Sequence, residues 1–273
     1  MSLRSIVDSH THSIFSPDGQ MSLEEGIIAA HNRGMGGLVF TDHIELAHPD
    51  IATWNTPFDI EQRSHLIDQL RHEHASNIKI FKGIELGFEP TILDRANEMI
   101  NQHDLDLVIL STHCVDNIDL GEKSYYQGRS KEQAYTKYLD TIYQSVSMFD
   151  NFDVVGHIGY ACRYACYPDK SLCYLDYHDK LDAILNRIIA QGKGIEVNTA
   201  GFRLNLGYPH PDYDVIKRYH ELGGTIITLG SDAHRTLGIG RVFENVIKRL
   251  ADIGFKYVAH FEQRKPVFVP IGL

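Results

Sequence analysis

The stretch GTIITLGSDAH, residues 224–234, is a run of β-favouring apolar residues that ends in an aspartate and a histidine. Six further apolar runs of similar length precede it: SIVDSH (5–10), GGLVFTDH (36–43), IKIFKGIE (78–85), LDLVILSTH (105–113), FDVVGHI (152–158) and KGIEVN (193–198). Each is short, rich in Val, Ile, Leu or Phe and bounded by turn residues, which predicts a buried strand. Between them lie amphipathic stretches. SLEEGIIAAHNRG opens with Ser22 three residues before Glu25, the spacing of a capping box, and closes at Gly34. SHLIDQLRHEHA, TILDRANEMINQ, KEQAYTKYLDTIYQSVSMF, YHDKLDAILNRIIAQG, DYDVIKRYHELGG and GRVFENVIKRLADIG follow as further helices. Alternating β and α units predict an α/β fold with a parallel sheet and helices outside it, because parallel strands need long crossovers. Seven such units favour a barrel over an open sheet. No linker or shift of composition interrupts them, so residues 1–273 read as one domain, with insertions at 44–62, 114–131 and 159–175.

The chain holds 36 acidic and 26 basic residues, a formal charge of −10, which speaks against a broad electrostatic grip on nucleic acid. No run approaches the ~18 apolar residues of a membrane span, and the first 30 residues lack the pattern of a signal peptide. A soluble, cytoplasmic protein with no membrane or nucleic-acid partner is expected, as monomer or homodimer. Cys114, Cys162, Cys166 and Cys173 lack the density and paired spacing of a disulfide framework and are expected as free thiols.

The 16 histidines are the unusual feature of the composition. His10, His12, His43, His113, His157 and His234 stand at or just past the C-terminal ends of predicted strands, and Glu85 and Asp232 end two of the same strands. In α/β barrels and open parallel sheets that edge is where sites are assembled. Imidazole and carboxylate are the ligands of Zn²⁺, Fe²⁺ and Mn²⁺. Strand residues i and i+2 point to the same side, so His10 and His12 can share one ion. So many donors exceed what one tetrahedral ion needs and fit two or three ions bridged by carboxylate and water. The other histidines fall mostly on helices or loops and are expected to be solvated or packed; among them His210, in YPHPDY, follows the sixth predicted strand.

The segments DSHTHSIFSPDG, TDH, GIELGF, STH, GHIG and LGSDAH, in this order and spacing, resemble the PHP (polymerase and histidinol phosphatase) family over about residues 6 to 245. GHIGYACRY, RSKEQAYTKYLDTI, NTAGFR, PHPDYDVIKRYHELGGTIITLGSDAH and FEQRKPVFVPI resemble its stand-alone histidinol-phosphate phosphatases. The resemblance implies a distorted (β/α)7 barrel with a trinuclear centre of divalent Zn, Fe or Mn. His10, His12, Glu85 and Asp232 would bind one ion; Asp18, His43 and His234 a second; Glu85 as a bridge, with His113 and His157, a third. Many relatives place a histidine where this chain has Asp18, a residue that also ligates such ions. Asp8 is expected to orient its loop, and Asp42 to accept an N–H from a metal-bound imidazole.

The implied activity is hydrolysis of L-histidinol phosphate to L-histidinol and phosphate, in histidine biosynthesis. Clustered metals acidify water, neutralise phosphoryl oxygens and align the attack, so a metal-bound hydroxide is expected to attack phosphorus directly, with Asp232 accepting its proton. No Cys-x5-Arg loop, aspartyl nucleophile after the first strand or Walker loop offers another route. Arg163 and Arg203 follow strands five and six on the proper rim, and Arg235 follows His234. A guanidinium suits bidentate phosphate binding, with Arg163 the favoured residue. Two alternatives are a related phosphoesterase acting on another monoester or a nucleotide, and a non-catalytic metal-stabilised barrel. The second has no use for so large a ligand set.

Overall fold

The computed structural model describes residues 3–54, 58–74 and 77–272. Pro57 of the expected 44–62 insertion and Ala75 at the end of an expected helix lie outside them. The strands are β1 (Val7–Thr11), β2 (Gly37–Phe40), β3 (His43–Glu45), β4 (Lys79–Gly87), β5 (Leu107–Ser111), β6 (Cys114–Val115), β7 (Ile118–Asp119), β8 (Val154–Val155), β9 (Gly194–Asn198), β10 (Ile227–Gly230), β11 (Tyr257–Glu262) and β12 (Lys265–Pro270). β1, β2, β4, β5, β8, β9 and β10 pair side by side, all parallel, in the order of the seven runs. The ring closes at its C-terminal edge, where the His12 amide donates to the Ala233 carbonyl at 2.9 Å and the Asp232 amide to the His10 carbonyl at 2.8 Å. The result is a distorted α/β barrel. The capping box of the first helix, Leu23–Asn32, forms as its spacing predicts, with Ser22 and Glu25 each bonded to the other's backbone.

Two features depart from the sequence reading. Several strands stop earlier than their apolar runs: the 224–234 run pairs only over Ile227–Gly230, and the 152–158 run only over Val154–Val155. The last residues of these runs leave the sheet, and His157 and Asp232 take positive φ, 20° and 54°. Such backbone is costly for a non-glycine residue and concentrates at functional sites. The C-terminal segment also forms an unexpected hairpin, in which β11 lies parallel to β10 and β12 returns antiparallel.

That hairpin completes the interior. Phe261 of β11 packs with Val7, Val39, Phe81, Leu107, Ile109 and Val154 as an apolar floor inside the barrel. Further along the same strands the inward positions become polar: Glu85 after Phe81, Ser111 after Ile109, and Glu196 and Asn198 on β9. In β1 an extra residue between Asp8 and Thr11 opposes β2, a bulge that brings both Val7 below and His10 above to the inner side. Helices cover the outside over a larger apolar core that includes Ile27, Ile67, Leu139, Ile184, Ile216 and Val246. Among the described residues no helix is long and apolar enough to cross a membrane.

Candidate metal centre

Glu85, on β4, is almost completely buried at the mouth of the barrel, and five imidazoles surround its carboxylate. Oε2 lies 3.1 Å from His10 Nε2, 3.3 Å from His12 Nε2 and 3.1 Å from His43 Nδ1. Oε1 lies 3.1 Å from His113 Nε2, 2.6 Å from His157 Nε2 and 2.7 Å from Ser111 Oγ. The sixth imidazole, His234, stacks on His12 with centroids 4.1 Å apart and sets Nε2 2.9 Å from Asp18 Oδ2; the other oxygen of Asp18 is 3.9 Å from His43 Nε2. Asp232 Oδ1 stands 3.5 Å from His12 Nε2, 3.7 Å from His234 Nδ1 and 3.9 Å from His10 Nε2. The nine residues expected as ligands therefore occupy one locus. Three overlapping triples, His10–His12–Glu85, His12–His43–His234 and His43–Glu85–His113, each bring their ligand atoms within 4.8 Å of one another. His12 and His43 thus sit between sets that the family resemblance keeps apart.

The outward edges of three rings are held by further acids, and those contacts settle which nitrogen faces inward. Glu196 Oε1 is 2.6 Å from His10 Nδ1, and Glu45 Oε1 is 2.5 Å from His113 Nδ1. His12 Nδ1 is 3.0 Å from Ser16 Oγ, whose own proton goes to Asp42 Oδ1, also at 3.0 Å, so the imidazole N–H donates to the hydroxyl. In all three rings Nδ1 is the donor to the outer partner and Nε2 turns inward, the orientation that outer carboxylates impose on metal ligands. Asp42 was expected to hold an imidazole directly; it reaches His12 only through Ser16, because its oxygens also take Ser13 N at 2.6 Å and Arg63 Nη1 at 2.9 Å. Asp8 ties its loop to the Ser231 and Gly240 amides at 2.9 and 2.8 Å, and burial pushes its carboxyl up to about 6.

The donor set fits a divalent metal. His10 Nε2 and His12 Nε2 are 3.0 Å apart, and His113 Nε2 and His157 Nε2 are 3.4 Å apart. Two imidazole nitrogens on one tetrahedral ion, with bonds of about 2.0–2.1 Å, stand about 3.3 Å apart. His43 Nδ1 is buried and makes no hydrogen bond. Burial works to raise the Glu85 carboxyl, but His10, His113 and His43 hold it well below the usual range. Burial likewise opposes ionisation of Asp232, and Arg163 and His10 override it. For His10, burial favours the neutral ring, yet Glu196, Glu85 and Asp232 raise it well above its ordinary value; at His113 Glu45 and Glu85 do the same. Burial and the neighbouring His12 hold His43 well below. The cluster is rich in fixed negative charge that demands cations, and metal binding there displaces protons from the rings.

A cavity of about 180 Å³ opens over these residues, walled by Glu45, His48, Trp54, Asp119, Tyr160, Arg163 and Tyr164. The three arginines expected at the rim are placed differently. Arg163 lines the cavity, with Nη1 2.7 Å from Asp232 Oδ2, Nη2 3.0 Å from Asn198 Oδ1 and its guanidinium over the Tyr160 ring. Arg203 instead donates to the Ser231 carbonyl and, at 2.6 Å, to the Asp232 carbonyl, bracing the strained turn behind the site. Arg235 is exposed and outside the cavity wall. His48, expected to be a solvated or packing residue, borders the cavity 3.5 Å from Asp119 Oδ2.

The sequence reading missed Glu45, Glu196, Asn198 and Ser16. A signal existed for two of them. A Cβ on Gly87 would lie 1.9 Å from a Glu45 oxygen, and one on Gly230 1.9 Å from Glu196 Oε1. The glycines of GIELG and LGSDAH are thus clearances for buried acids, and a glycine inside a strand flags such close approach.

The sequence profile of the family described as PHP domain matches residues 8–200. A probable histidinol-phosphatase of Clostridium acetobutylicum is 32% identical over 260 residues, covering 95% of this chain and 98% of that protein. A histidinol-phosphatase of Lactococcus lactis is 30% identical over 84% of each chain. The crystal structure of a histidinol phosphate phosphatase from Lactococcus lactis, complexed with zinc, L-histidinol and phosphate, matches with a TM-score of 0.89 at 28% identity, covering 97% of this chain and all of that one.

Proposed function

This chain belongs to the PHP domain family, and from that premise we infer that it hydrolyses L-histidinol phosphate to L-histidinol and phosphate with divalent metal as cofactor. The observation that carries the reading is the carboxylate of Glu85 ringed by five imidazoles at the barrel mouth, in a fold shared with a zinc-bound histidinol phosphate phosphatase. Three ions of Zn, Fe or Mn are proposed. His10, His12, Glu85 and Asp232 would hold one, Asp18, His43 and His234 another, and Glu85, His113 and His157 the third. Such ions acidify water and neutralise phosphoryl oxygens.

The chain's own residues supply the rest. Arg163 is the guanidinium on the cavity wall and the one suited to grip the phosphate, already oriented by Asp232 and Asn198. Asp232 stays ionised and can accept a proton from the attacking water. Glu45 and Asp119 offer negative charge to the substrate's ammonium, and Trp54, Tyr160 and Tyr164 offer flat faces to its imidazole. A cytoplasmic location is proposed, as for a small-molecule biosynthetic hydrolase.

Steady-state phosphate release from a panel of monoesters, after loading with Zn²⁺, Fe²⁺ or Mn²⁺, tests the reading. Histidinol phosphate is expected to lead generic monoesters in kcat/KM on the order of 100-fold or more, because the cavity's buried polar groups go unpaired with other esters. Equal turnover of all monoesters would overturn the substrate assignment.

A further inference from the structure

Directly beneath the ligand cluster, β9 turns two side chains inward that belong to none of the ligand sets, Glu196 and Asn198, and both are fully buried. We infer that they are positioning residues: Glu196 locks His10 in the tautomer that turns Nε2 toward the metal, and Asn198 holds Arg163 against Asp232. The inference rests on the reading of the site as a metal-dependent phosphatase.

Both oxygens of Glu196 are engaged by N–H groups. Oε1 takes His10 Nδ1 at 2.6 Å, on the far edge of the ring from Glu85, and Oε2 takes the His157 amide at 2.8 Å. Asn198 Nδ2 adds bonds of 3.1 and 3.2 Å to the two oxygens. Among the described residues no Lys or Arg pairs with this carboxylate; its ion-pair partner is His10. A buried carboxylate without a chain cation is costly, and here its charge is passed through one imidazole to the metal locus. It also holds the backbone at His157, where φ is +20°, so two ligands from opposite sides of the barrel share one anchor. The Gly230 clearance serves the same pair, since a Cβ there would meet both Glu196 Oε1, at 1.9 Å, and His10 Cβ, at 2.7 Å.

Asn198 needs both ends of its amide. Oδ1 accepts from Arg163 Nη2 and the Ala200 amide, each at 3.0 Å, while Nδ2 also reaches Asp232 Oδ2 at 3.3 Å. Asp232 Oδ2 takes Arg163 Nη1 as well, so arginine, aspartate and asparagine form a closed triangle. An aspartate at 198 would set an oxygen against both Glu196 and Asp232; only an amide donates toward the acids and accepts from the arginine.

The test compares wild type, Glu196→Gln and Asn198→Ala by zinc affinity in chelator competition, zinc content, and melting of the metal-free proteins. Glu196→Gln is expected to bind zinc about 10- to 100-fold more weakly while its metal-free form melts no lower than wild type. Asn198→Ala is expected to keep zinc affinity and raise KM about tenfold, from the disturbance of one charge-assisted hydrogen bond. Glu196→Gln with wild-type zinc affinity, or a lower metal-free melting point as its sole change, would overturn the role of Glu196, and an unchanged KM in Asn198→Ala that of Asn198. ¹⁵N-histidine NMR of zinc-loaded wild type adds a measurement free of folding effects: His10 protonated at Nδ1 is expected, and at Nε2 contradicts the inference. Wild type that takes up no zinc and hydrolyses no phosphate ester would defeat the underlying reading instead.

Discussion

Two clusters of buried carboxylates sit at opposite ends of the same strands, and they are completed in different ways. At the N-terminal end, Asp106 and Asp153 precede β5 and β8. Asp106 accepts the Lys82 and Gln263 amides, each at 2.9 Å, and pairs with Arg71; Asp153 accepts the Val108 amide at 2.8 Å and pairs with Arg264. Every charge there is met by a cation or amide of the chain, and Gln263 and Arg264, in the turn between β11 and β12, thereby pin the hairpin under the barrel. At the mouth, the buried Glu85, much of the buried Asp232 and the more exposed Asp18 face imidazoles instead, and three of the rings, His10, His113 and, through Ser16, His12, are backed by further acids. The first cluster is a closed structural joint. The second is built to receive cations from outside the chain.

Substitutions that break each end should separate the two kinds of cluster. The largest effect is expected for Glu85→Gln, which removes the charge facing five imidazoles. Losing several kcal/mol of metal-based transition-state stabilisation lowers kcat/KM by about 10³-fold or more, with loss of metal by elemental analysis and no fall in the melting point of the metal-free protein. Full metal content in that variant would sink the bridging role. At the other end, Asp153→Asn strands Arg264 and is expected to cost about 2–3 kcal/mol in urea unfolding, with kcat/KM of the metal-loaded enzyme unchanged; a comparable loss of activity would mean that the floor is coupled to the site.

Smaller effects sharpen the picture of the mouth. Ser16→Ala cuts the link from His12 to Asp42 and is expected to weaken metal binding about tenfold, measured by chelator competition. The smallest change concerns pH. Burial works to raise the Asp18 carboxyl, but its bond to His234 and the charge of His43 lower it to about 2. A depressed carboxylate stabilises the folded chain above its unfolded value near 3.8, and that contribution is lost only as pH falls through about 2. Asp18 is therefore ionised throughout the working range, and Asp18→Asn is expected to lower the plateau of the pH–rate profile without moving the midpoint of its acid limb. A shifted midpoint would make Asp18 a titrating group of the reaction.

Much of the site was legible because ligand chemistry and strand position are both local properties. An apolar run that ends in histidine or an acid puts the donor at the C-terminal edge, and the parallel order follows from the intervening helices. The seven runs and their terminal residues by themselves determined a parallel α/β fold with a histidine-rich C-terminal edge and favoured a barrel over an open sheet; closure is decided by the bonds of residues 10 and 12 to 232 and 233. Glu45 escaped notice at the head of an expected insertion and Glu196 inside a strand run, because nothing nearby in sequence says that such a carboxylate is buried against a ring 68 or 186 residues away. Arg163 and Arg203 both follow strands on the proper rim, with Arg163 favoured; tertiary packing spends Arg203 on the carbonyls of residues 231 and 232 and leaves Arg163 on the cavity wall. The closing hairpin was equally invisible, since its value lies in Phe261 filling the barrel floor and Arg264 meeting Asp153. Local pattern names the donors and their edge; only the closed ring decides which nitrogen of each imidazole faces inward, because the acid that fixes it comes from another strand.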